Sequence, residues 1–109
     1  MLRILMSLVV SGLVLSPVVS HAVNSRAAYK LSRASGCNKC HAISKKKEGP
    51  PFKETAKKYK GKADAEEKVF LHITTQPIVK VDGKEEKHTK VKSDDKAEIM
   101  NLVQWILSR

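Results

Sequence analysis

The chain has 109 residues and a formal charge of +10, from 21 lysines and arginines against 11 acidic residues, with five aromatic side chains and two cysteines. At that length it holds one small domain whose core is thin, so a disulfide, metal or cofactor is expected to make up the shortfall. Basic excess suits nucleic acid, an anionic surface or an acidic protein. The lysines, however, lack the interleaved aromatics of a base-stacking surface, which argues against nucleic acid.

The N-terminus sets the compartment. Arg3 is followed by an apolar run from Ile4 to Val19, broken only by Ser7, Ser11, Gly12, Ser16 and Pro17, and then by Ser20-His21-Ala22. A basic start, an apolar middle and small residues at −3 and −1 predict a secretory signal over residues 1–22, cleaved after Ala22. The rival, an uncleaved anchor, is disfavoured by a run short of the span of about 20 residues and by Pro17. The expected product is an exported, periplasmic domain of residues 23–109, without stable membrane insertion once the signal is cut. Export itself argues further against nucleic acid.

Ala27, Ala28, Leu31 and Ala34 follow helical spacing and predict a first helix over 25–35 that stops at Gly36. The stretch Cys37-Asn38-Lys39-Cys40-His41 follows at once. A thioredoxin-like pair would need a strand before the motif, and none is visible. Structural zinc would need further ligands, with only His72 and His88 available. Attachment of haem uses C-x-x-C-H whole: two thiols bond the haem vinyl groups and the histidine takes one axial position on iron. One haem c, covalent through Cys37 and Cys40 with His41 as ligand, is therefore expected.

Further along, Gly49-Pro50-Pro51 resists helix. A second helix is expected over Phe52–Tyr59, closed by Gly61, and a third over 64–74 with Asp64 as its N-cap. Ile78-Val79-Lys80-Val81, Asp82-Gly83 and Lys84-Glu85-Glu86-Lys87 read as a hairpin or as an irregular surface loop. Ser93 is expected to cap a last helix, with Asp94 and Asp95 in its first turn and Ile99, Leu102, Val103 and Ile106 along one apolar stripe.

Three stretches together, "SGCNKCH", "GPPFKETAKKYKGK" and "SDDKAEIMNLVQWILS", resemble class I cytochrome c of the small bacterial monohaem type. The resemblance implies an all-α fold of about four helices around one haem, with the first and last helices crossing and electron transfer as the activity; the remaining residues form no catalytic constellation, so no enzymatic activity is expected, and a short hairpin before the last helix fits the residue pattern above. The resemblance also implies that Tyr59 and Trp105 lie near the porphyrin and that the Pro50 carbonyl holds the second nitrogen of His41. Relatives carry a basic residue near this point of the third helix that approaches a propionate, a role that falls here to His72, the alternative being simple exposure on the polar side of the helix.

The departure from the family lies at the sixth ligand. Relatives offer a methionine from a loop before the last helix, whereas here Met100 is the only methionine after the signal and sits within a helical stripe, where methionine fills core. His88 stands near the family's methionine position, 17 residues before Trp105. Coordination by His41 and His88 and a low potential are expected, with an open position, a lysine or an outside ligand as alternatives. The function expected is a soluble electron carrier; the alternative is a haem-based sensor or gas binder with a displaceable ligand. Lys45, Lys46, Lys47, Lys53, Lys57 and Lys58 are expected to form a positive rim for acidic redox partners.

Overall fold

The computed structural model describes residues 12–14 and 22–109. The expected signal run lies almost entirely outside the described residues, and no helix among them is long and apolar enough to cross a membrane. Four helices, α1 (Ser25–Ala34), α2 (Phe52–Tyr59), α3 (Ala65–Thr74) and α4 (Lys96–Leu107), carry the fold; a single 3₁₀ turn spans Cys37–Lys39, and strands β1 (Ile78–Val81) and β2 (Lys84–Lys87) form an antiparallel pair.

Helix α4 is the hub. Ile99, Leu102, Val103, Trp105 and Ile106 are all buried, and they meet Ala28 of α1, Phe52 of α2, and Val69 and Ile73 of α3. Leu102 and Val103 are wholly enclosed, which stabilises the fold by about 1.5–3 kcal/mol for each side chain. The α1–α4 contact is locked at one end by a reciprocal pair: the Asn24 amide donates to Asn101 Oδ1 and Asn101 Nδ2 donates to the Asn24 carbonyl, both at 2.9 Å.

The structure changes three local expectations. The buried face of α1 is Ala28, Leu31, Ser32 and Ser35, while Ala27 and Ala34 are exposed. Ser35 is inward because it has polar work there: its Oγ accepts from the Lys92 amide at 2.9 Å. Asp64 precedes α3 but makes no side-chain cap; its carboxylate pairs instead with Lys68 at 3.2 Å, one turn along. Ser93 does not cap α4. Asp95 does, accepting from the amides of Ala97 and Glu98, while Ser93 donates to the Glu98 carboxylate at 2.7 Å.

The hairpin forms. Asp82 and Gly83 adopt φ of 51° and 78°, the pair of left-handed residues that a two-residue primed turn requires. Lys80 faces Glu85 across the ladder, an opposite-charge pair that favours this register. The His88 amide extends the ladder by one bond to the Pro77 carbonyl at 2.8 Å, and three residues later the chain is stapled to α3 by the Val91 amide on the Ile73 carbonyl at 2.9 Å.

Candidate cofactor site

The motif is held in one tight turn. Gly36 takes φ of 76°, a conformation that costs other residues about 1–2 kcal/mol, and so ends α1 and aims the chain into the 3₁₀ turn. The His41 amide then bonds the Cys37 carbonyl at 2.9 Å, and the loop after the motif closes with the Gly49 amide on the Cys40 carbonyl at 2.7 Å. The carbonyls of Ala42 and Ile43 accept from the first amides of α2, at 2.9 and 3.0 Å. These bonds satisfy donors that Pro51, lacking a capping side chain, leaves open.

His41 is fixed from three sides. Its Nδ1–H donates to the Pro50 carbonyl at 2.7 Å. Phe52 stacks on the ring at a centroid distance of 5.3 Å and 19°. Gly49 passes so close that a Cβ there would lie 2.5 Å from His41 Cε1 and 2.8 Å from Nδ1. Space rather than φ demands glycine at this position. A carbonyl can only accept, so the bond to Pro50 sets the tautomer and leaves Nε2 as the free lone pair.

His88 repeats this arrangement. Its Nδ1–H donates to the Thr89 carbonyl at 2.9 Å, again leaving Nε2 bare. Its ring centroid lies 6.2 Å from that of His41, with the planes at 48°. Two imidazole–metal bonds of about 2 Å each, with about 1 Å from nitrogen to ring centre, place centroids about 6 Å apart. Desolvation pushes the His88 imidazole below its ordinary pKa, against the bond to Thr89. His72, from α3, lies 4.3 Å from the His88 ring, and desolvation and the charges of His88 and His41 push its pKa down too. Both shifts favour the neutral imidazole, the form that ligates metal.

Between these elements lies a cavity of about 530 Å³, walled by Cys37, Cys40 and His41 on one side, by His88 and strand β1 on another, and floored by Val69, Ile73 and Ile106. Pro50 and Tyr59 also line it; Met100 and Trp105 do not. Trp105 packs edge-on against Phe52 at 5.7 Å, so it stands behind the wall. Of the six expected rim lysines only Lys58 reaches the cavity; Lys53 and Lys57 line a neighbouring cleft.

Burial pushes the Cys37 thiol above its ordinary pKa, and burial and then the Glu48 carboxylate do the same to Cys40. This is the reverse of the low-pKa thiolate on which a dithiol redox site depends. Two neutral thiols and a tautomer-fixed imidazole on the wall of a largely apolar cavity fit haem c. Sequence reasoning missed Gly49, Phe52 and Thr89. The Gly-Pro-Pro run was a usable signal for the first, whereas Thr89 acts through its backbone and leaves no side-chain trace.

The comparisons agree with the geometry. The family model for cytochrome c matches residues 25–109. Among solved structures, the chain is similar to the class 1 cytochrome MtoD from Sideroxydans lithotrophicus ES-1, with 47% identity and a TM-score of 0.77 over 80% of this chain and 97% of that one. It is also similar to wild-type cytochrome c552 from Nitrosomonas europaea, with 25% identity and a TM-score of 0.57 over 73% of this chain and 96% of that one. No curated protein matches. The chain belongs to the cytochrome c family, with the class I fold, and membership implies covalently bound haem c.

Proposed function

We propose that this protein is a periplasmic one-electron carrier with a single haem c, attached through Cys37 and Cys40 and held axially by His41 and His88, and that it exchanges electrons with acidic redox proteins without catalysing a reaction of its own. Haem c supplies one-electron exchange between ferric and ferrous iron. The observation that carries the reading is the pair of facing imidazoles, 6.2 Å apart, each with Nδ1–H committed to a backbone carbonyl.

The residues divide the labour. Pro50 and Thr89 orient the two rings and make each more basic, favouring a firm hold on iron. Phe52, Val69, Ile73 and Ile106 would exclude water from the haem with their apolar surface, and the hairpin positions His88 on the cavity wall. An imidazole in place of a thioether removes a ligand that favours ferrous iron, which lowers the potential. Two strong-field ligands leave no open position for a substrate.

The test is an absorption spectrum followed by mixing with carbon monoxide. Low-spin iron in both oxidation states, no sulfur-to-iron charge-transfer band and slow carbon monoxide uptake are expected. Rapid uptake by the reduced protein would shift the assignment to a gas-binding sensor.

A further inference from the structure

The mouth of the cofactor cavity carries no net sign: Lys58, Lys80 and Lys87 share its wall with Glu48, Glu54 and Glu86. The positive charge collects elsewhere. Between α2, the turn leading into α3 and the end of α4 lies a second cleft of about 830 Å³, where five cationic side chains, Lys53, Lys57, Lys60, Lys62 and Arg109, face one carboxylate, Glu66. That carboxylate is already engaged by Gln104 Nε2 at 3.4 Å. Ala56, Ala65 and Leu107 contribute apolar surface to the cleft.

Tyr59 lines both this cleft and the cofactor cavity. The ammonium groups of Lys58 and Lys62 lie over its ring at 5.3 and 5.9 Å, which concentrates positive charge where the two spaces adjoin. The guanidinium of Arg109 is not free to drift away: it packs over Trp105 at 4.8 Å and donates to the Trp105 carbonyl at 3.1 Å.

We propose that this cleft, beside the cavity mouth rather than over it, is the docking site for an acidic segment of a partner protein. Concave shape, apolar patches and a one-signed rim suit a chain segment bearing carboxylates. A flat anionic bilayer fits the geometry less well, since it would engage projecting lysines such as Lys45 and Lys46 rather than a recess. The claim needs only the charge and shape of the cleft; the carrier reading above enters only in calling the partner a redox protein.

The experiment titrates poly-L-glutamate into the reduced, isotopically labelled holoprotein and follows the amide resonances. Shifts should gather at residues 53–62 and 107–109. The triple variant Lys53→Gln, Lys57→Gln, Lys60→Gln should weaken binding about tenfold, about 1.4 kcal/mol in all for three exposed charge contacts. Lys45→Gln, Lys46→Gln, Lys47→Gln should change it less than about twofold on the same scale. All six side chains are exposed, so neither variant threatens the fold, and Arg109→Gln gives an independent check on the opposite wall. Shifts centred on 45–47, or equal losses in both triples, would overturn the proposal. So would binding to phosphatidylglycerol vesicles that depends on the cleft lysines while poly-L-glutamate leaves the cleft undisturbed. A failed carbon monoxide test would remove the carrier reading and leave this result standing.

Discussion

Among single residues, His88 and Gly49 bear most of the consequence. His88→Ala should open the sixth position, giving high-spin or water-bound ferric iron and fast carbon monoxide binding. Met100→Leu should do neither and should cost at most about 1.5 kcal/mol as a near-isosteric change, because Met100 is not on the cavity wall. His88→Met should raise the potential if the loop still delivers sulfur, which equilibrium redox titration reads directly. Gly49→Ala should push the added methyl group into His41, costing about 1–3 kcal/mol as overpacking. A thermal melt of the holoprotein measures that loss, and an unchanged melting temperature would mean that the ring has room to yield. That Cys37, Cys40, His41 and His88 line one cavity could be anticipated because cysteine and histidine declare their chemistry by type. Gly49 could not, since its role is to omit an atom where the backbone runs beside His41, and that approach exists only once the loop has closed.

At the level of elements, the hairpin acts as a clamp on the second histidine. Its turn depends on left-handed backbone at Asp82 and Gly83, and its last bond fixes the His88 amide to Pro77. Replacing both turn residues by Ala should cost about 1–2 kcal/mol at Gly83 and less at Asp82, which already carries a Cβ in the left-handed region. The helices should be unaffected, while the carbon monoxide association rate rises as His88 loses its anchor. Circular dichroism beside stopped-flow mixing separates these effects, and an unchanged rate would assign the anchoring to the Val91–Ile73 staple. Helices α2 and α4 were readable from apolar spacing and turn residues. The inward face of α1 was not, because hydrophobicity favoured its alanines. Ser32 and Ser35 are buried instead, and Ser35 Oγ accepts a hydrogen bond from Lys92, 57 residues away.

For the whole molecule, four of the ten core residues among those described, Phe52, Val69, Ile73 and Ile106, also line the cofactor cavity. Cys37→Ala with Cys40→Ala should therefore leave a chain without a cooperative melt, since the lining of an unfilled cavity loses its packing contacts. Native helicity with a sharp transition in that variant would show that the protein scaffold stands alone. The Asn24–Asn101 bonds join residues 77 positions apart. Closing so long a loop is a slow, late event in folding. Because Cys37 and Cys40 precede α4 in the chain, they are synthesised before the helix that completes the core. The interval before this clasp shuts is thus a period of access, in which the thiols can receive their cofactor. The same two asparagines that secure the finished fold also mark when that opportunity ends.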